Sequence, residues 1–184
     1  MKGQTIAFDA LQRLKEGNKI YINSEICGGD VSPEKRQDTH KNGQHPYAVV
    51  VSCADSRVIP EAIFSTGIGE LFVIRVAGNV VGDYEMASVE YAVEHLGCRL
   101  VVVMGHTRCG AVNAAYSENC GLVEHIACEI RHAIGDESDR DKASLLNATH
   151  SADKIKNAVS ADGLLVVAAL YHTDSGVVDF CCEE

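Results

Sequence analysis

The sequence is poor in positive charge. Lysine and arginine together number 16 against 26 aspartates and glutamates, a formal net charge of −10. That balance argues against a nucleic-acid surface, which would carry a basic patch. It also argues against electrostatic docking on an anionic membrane. It does not identify a substrate, because a local field can oppose the net charge. Long apolar runs are missing too: no stretch reaches the roughly 18 to 20 apolar residues that span a bilayer. Lys2, Asp9, Arg13, Lys15 and Glu16 interrupt the start of the chain, where a secretory signal would need an apolar core. A cytoplasmic protein, without membrane or nucleic-acid partners, is the expectation. Repeats and low-complexity segments are absent. The only glycine clusters, Gly28-Gly29 and Gly67-Ile68-Gly69, do not stand between a strand and a helix in a G-x-G-x-x-G frame. That sets aside a nucleotide-binding domain. Tryptophan is absent altogether.

What is present suits one folded domain over residues 1–184: 46% of the residues are apolar and 23% charged. Eight cysteines could make four disulfides. A chain of this length with no signal has little need of such staples, so the thiols are expected to be free, metal-bound or catalytic. Thr5–Lys15 has the spacing of an amphipathic helix, within an N-terminal helical arm over residues 4–22. Cys27–His45 is polar and reads as a long connection. Tyr47–Ser52, Leu71–Val76, Leu100–Met104 and Leu164–Tyr171 are short continuous apolar runs, the mark of strands buried on both faces. Gly176–Phe180 can return as an antiparallel edge. Tyr84–Leu96, Leu122–Ile134 and Ala152–Val159 read as helices. Strands alternating with helices predict an α/β fold, a mostly parallel central sheet of about four parallel strands plus an edge strand, flanked by helices.

Ligands of such sheets collect beyond the carboxyl ends of the strands. Cys53 directly follows the first run, and His106 follows the third across Gly105. The motifs there are Cys53-Ala54-Asp55-Ser56-Arg57 and His106-Thr107-Arg108-Cys109-Gly110. Zinc takes thiolate and imidazole ligands and keeps a position open when it is catalytic. Adjacent strand ends bring Cys53 near His106, and Cys109 can reach the same ion. Taken singly, a cysteine after a buried strand is usually a small core residue; taken together, the three make a candidate metal site. Asp55 and Arg57 can form a bidentate pair. Far from a metal that would be a surface ion pair of little worth. Beside one, it is a fixed acceptor for the proton of a bound hydroxide.

At these residues the chain resembles a β-class carbonic anhydrase. The segment Gly69-Glu70-Leu71-Phe72-Val73-Ile74-Arg75-Val76-Ala77-Gly78-Asn79 and the helix with Ser88-Val89-Glu90-Tyr91-Ala92 carry the likeness further. The resemblance implies reversible hydration of CO2 to bicarbonate and a proton, by attack of zinc-bound hydroxide. It implies one Zn2+ per chain on Cys53, His106 and Cys109, with Asp55 accepting the hydroxide proton and Arg57 bracing Asp55. It places the Gly110 N–H at a substrate oxygen, and Gln44, Phe72, Ala77 and Tyr91 around the substrate pocket, some of them from a partner subunit. A homodimer or higher even oligomer follows. A subgroup regulated by bicarbonate has a tryptophan three residues before its first ligand; Val50 stands there, which implies an open site without that switch. Two other readings compete: a same-fold hydrolase of carbonyl sulfide or carbon disulfide, and a non-catalytic zinc or thiol redox-sensing module.

Overall fold

Strands β1 (Ala48–Cys53), β2 (Leu71–Val76), β3 (Leu100–His106) and β4 (Leu165–Tyr171) are parallel, and β5 (Val178–Cys181) pairs antiparallel with β4. This is a computed structural model, which describes residues 2–24, 28–117 and 121–181. Cys27, Cys120 and Cys182 lie outside the described residues. Every residue of β1 and β3 is buried, as their unbroken valine-rich runs require. Side chains alternate across the sheet. Ala48 and Val50 join one core with Leu11, Leu14, Ile63 and Phe64, while Val49 and Val51 join another with Val89, Val93, Ala148 and Ile155. Each such valine, fully buried, contributes about 1.5 kcal/mol or more.

The strand order is β2-β1-β3-β4-β5. The chain steps outward from β1 to β2, then returns past β1 to lay down β3. The order therefore reverses between β1 and β3, and a crevice opens beyond their carboxyl ends. Cys53 ends β1 and His106 ends β3.

Helix α1 (Lys2–Asn23) buries Ala7, Ala10, Leu11 and Leu14 on the sheet. Asn18, also buried, ties it down: Nδ2 donates to the carbonyls of Ile63 (3.2 Å) and Gly176 (2.9 Å), and Oδ1 accepts from the Val178 N–H (3.0 Å). The expected N-terminal helix is thus longer than its amphipathic core and packs against its own chain.

Helix α2 (Pro33–Asn42) falls where a connection was expected. Ser32 caps it, its side chain accepting from the Lys35 N–H, and Pro33 stands at its first turn. It buries no residue, so no apolar period announces it. Helices α3 (Pro60–Ile63), α4 (Asp83–Glu94), α5 (Gly110–Ala114) and α6 (Glu124–Ile134) follow in order. Helix α7 (Arg140–Ala158) is much longer than the expected Ala152–Val159. Its inner face mixes Ala143, Ser144, Asn147, Ala148, Ser151, Ala152 and Ile155, too small and polar a set to read as an apolar stripe.

Candidate metal centre

Cys53, His106 and Cys109 converge in the crevice, all buried, with their ligand atoms within 4.8 Å of one another. The two Sγ atoms are 4.0 Å apart. A tetrahedral zinc with Zn–S near 2.3 Å would separate two sulfurs by about 3.8 Å, so the gap is of the right size. Among the described residues, no fourth cysteine, histidine or carboxylate joins the cluster.

The histidine is prepared for a metal. Its Nδ1 lies 2.9 Å from the Thr107 carbonyl oxygen, which can only accept, so Nδ1 carries the proton and Nε2 a bare lone pair. His106 is wholly buried and Nε2 has no hydrogen-bond partner. A buried polar atom left so costs free energy; a cation between it and the two sulfurs satisfies it. The thiols are prepared as well. Cys53 Sγ accepts from the N–H groups of Gly78 (3.2 Å) and Asp55 (3.4 Å). The adjoining Cys109 thiol, together with those two N–H groups, holds the Cys53 thiol well below its ordinary range. The ionised Cys53 sulfur, with burial, holds Cys109 up in turn. A divalent cation replaces the shared proton and makes both sulfurs thiolates. The donor set fits zinc.

Asp55 and Arg57 form the bidentate pair expected of them. Arg57 Nε donates to Oδ1 (2.9 Å) and Nη2 to Oδ2 (2.8 Å), and the Arg57 backbone N–H adds a third bond to Oδ1 (2.9 Å). These bonds hold the Asp55 carboxyl well below the usual carboxylate range. Oδ2 stands 4.0 Å from His106 Nε2, on the side where a metal would sit.

The carbonic anhydrase family model matches residues 48–178, which span both motifs and the whole sheet up to β5. The chain belongs to the β-class carbonic anhydrases. Its reaction is the reversible hydration of carbon dioxide. It is 35% identical over 190 residues to carbonic anhydrase 2 of Mycobacterium tuberculosis, covering 91% of this chain and 89% of that one. Among solved structures it resembles the Coccomyxa β-carbonic anhydrase in complex with acetazolamide, at TM-score 0.71 and 27% identity over 82% of this chain and 78% of the other. Two tetrameric β-carbonic anhydrases of Sordaria macrospora supply a further match, at TM-score 0.66 and 25% identity, covering 80% of this chain and 91% of that one.

The pocket residues expected of a β-carbonic anhydrase divide into two groups. Ala77 opens the short 3-10 helix Ala77–Asn79, next to the Gly78 N–H on Cys53. Gly110 begins α5 beside Cys109, and nothing lies within 4 Å of where its Cβ would stand. Gln44, Phe72 and Tyr91 are elsewhere. Gln44 is exposed ahead of β1. Phe72 is in register with Val49, whereas Val76 is in register with Cys53. Four steps along a strand are about 13 Å. Tyr91, 47% exposed, lies with its ring centroid 6.2 Å from that of Phe72. Within one chain these three sit at the wrong end of the strands to touch the Cys–His–Cys cluster.

Other residues support the site that motif reading passed over. Arg75 donates from Nη2 to the Asp55 carbonyl (2.8 Å) and from Nε to the Cys53 carbonyl (3.3 Å). A lone arginine inside the apolar run of β2 was the available sign. Arg57 Nη2 also reaches the Arg108 carbonyl (3.2 Å), linking the two motifs. Gly78, with φ 70°, makes the turn that presents its N–H to Cys53. Cys98 and Cys128 are free thiols.

Proposed function

We propose that Cys53, His106 and Cys109 hold one zinc ion per chain and that Asp55, Arg57 and Gly110 manage the oxygen atoms around it. The observation that carries this reading is the buried, partnerless Nε2 of His106 beside two close sulfurs. Zinc, when bound, supplies Lewis acidity that lowers the pKa of a coordinated water from about 15.7 toward 7. Asp55 is ionised and can only accept. The Arg57 guanidinium and backbone N–H occupy both lone pairs of Oδ1 and one of Oδ2, and the remaining pair on Oδ2 accepts an O–H from the attacking oxygen and so orients it. The same guanidinium holds Asp55 back from the metal. Arg75 fixes the Asp55 main chain, so the carboxylate is aimed from both sides. The Gly110 N–H then donates to the oxygen on which negative charge develops as bicarbonate forms. The proton leaves for buffer. Val50, fully buried in the core, stands where the bicarbonate-regulated subgroup has tryptophan, in keeping with a site that stays open.

The division of the pocket supports a homodimer or larger even assembly. Gln44, Phe72 and Tyr91 would complete the site of the partner chain. Strand β2 lies at an edge of the sheet with Phe72, Val73 and Ile74 only half-buried, a surface that asks for cover. No helix among the described residues is long and apolar enough to cross a membrane. A single domain over residues 1–184, working in the cytoplasm, completes the reading.

The test is stopped-flow CO2 hydration measured alongside zinc per chain. Cys53→Ser and His106→Ala should each lose both; a variant that kept full zinc and full activity would overturn the ligand assignment. Parallel assays of sulfide release from carbonyl sulfide and carbon disulfide separate the same-fold rival. X-ray absorption on the wild type separates the redox module, which needs four protein ligands where this reading needs three and an oxygen.

A further inference from the structure

Helix α7 touches the backbone beside each of the three ligands. Asp141 Oδ1 accepts from the Arg108 N–H (3.1 Å), next to Cys109. The Ser144 carbonyl packs so closely on Gly105, next to His106, that a Cβ there would stand 2.7 Å from its oxygen. Asn147 Nδ2 donates to the Gly78 carbonyl (2.6 Å), across 69 residues of sequence, and the Gly78 N–H is the one on Cys53 Sγ. Positions 141, 144 and 147 follow one another at a spacing of three, along one side of the helix. Gly78 and Asn79 are both left-handed, at φ 70° and 47°, an arrangement that persists only when its surroundings enforce it. Asn147 is 1% exposed and is the side chain that holds this turn.

We propose that Asn147 is a positioning residue of the metal centre: by fixing the Gly78 turn it keeps a hydrogen-bond donor on the Cys53 sulfur and sets how tightly the site holds its metal. The proposal rests on the ligand assignment above. An N–H on a thiolate lowers the energy of the sulfur lone pairs. Without Asn147 the carbonyl of the buried Gly78 loses its side-chain donor, and the turn is free to swing its N–H off the sulfur.

The experiment uses the full chain, loaded with zinc for chelator competition and with cobalt(II) for absorption. In Asn147→Ala, zinc affinity should fall about 10- to 100-fold, as for other outer-sphere partners of metal ligands. The thiolate-to-cobalt charge-transfer band should move to longer wavelength. Asn147→Asp keeps the side-chain volume but, ionised, presents an acceptor to a carbonyl; it should show the same two changes and serves if the alanine variant does not fold. Ser151→Ala, on the same buried face of α7 but further from the site, should leave both readings at wild type. A folded Asn147→Ala or Asn147→Asp protein with wild-type zinc affinity and an unmoved band overturns the proposal. So does a Ser151→Ala protein as impaired as they are, since the effect would then be general loosening of the helix. If the wild type itself shows no thiolate band with cobalt, the ligand assignment fails instead.

Discussion

Alanine at position 78 tests the turn over Cys53 most directly. Gly78 adopts φ 70°, and a Cβ there would stand 2.9 Å from Ile130 Cδ1 and 3.0 Å from Ala111 Cβ. Placing an L-residue in the left-handed region costs about 1–2 kcal/mol. Forcing a methyl group into a packed site adds about 1–3 kcal/mol. The lower entropy of an unfolded chain with alanine returns about 0.4–1 kcal/mol. The net loss is about 1–5 kcal/mol, a fall in Tm of about 2–18 °C for a chain of this size. The clash can be separated from the strain, because Ile130→Val removes the offending Cδ1. By itself Ile130→Val costs about 0.5–1.5 kcal/mol. In the Gly78→Ala background it should cost less than that or even stabilise, since it relieves one of two close contacts. Thermal melts of the four proteins close the cycle, with zinc per chain measured on each. Additive losses would refute the packing account, and a Gly78→Ala protein melting within about 2 °C of wild type would refute the whole estimate.

Other expectations follow from the same contacts. Arg57→Gln should retain zinc but lose about 10- to 100-fold in kcat/KM, because Asp55 is no longer held in its aiming position; loss of the metal would contradict this division of labour. Asn18→Ala leaves one N–H and two carbonyls without their partner and should cost about 2–4 kcal/mol, read as a lower urea midpoint and faster proteolysis within α1. His150 is shifted below its ordinary pKa by burial and by the neighbouring His132. A lowered folded pKa means its share of stability is complete above about 6.5 and fades as pH falls through the folded value. Urea midpoints of the wild type should therefore drop between about pH 7 and pH 5, and those of His150→Gln should drop less. Parallel curves would remove His150 from the account.

Strands β1, β3 and β4 were legible because they are buried on both faces and so are written as unbroken valine- and leucine-rich runs, while β2, half-buried at the edge, still carries an apolar run broken only by Arg75. The candidate metal cluster was legible for a different reason: a thiol and an imidazole at the ends of β1 and β3, with a second thiol three residues on, state their chemistry openly. Helices α2 and α7 were hidden for opposite reasons. One buries nothing, and the other buries small and polar residues, so neither displays an apolar period. Asn147 and Gly78 show what sequence order conceals. Neither residue type announces a metal site, and their partnership spans 69 residues. Gln44, Phe72 and Tyr91 could be named through family resemblance alone, and the structure shows why. In a single chain they lie far from the chemistry, and no local pattern links them to it.

That separation of Phe72 from Cys53 along the strands has a consequence for how the enzyme behaves on dilution. If each pocket is finished by a neighbour, a lone chain carries ligands for the metal but only part of the wall that holds the gas. Activity per chain is then a function of concentration, flat while the assembly persists and falling steeply below its dissociation constant. The same dependence would make partner chains rescue one another: a chain crippled at Cys53 and one crippled at Phe72, mixed, would regenerate one sound pocket in each mixed pair.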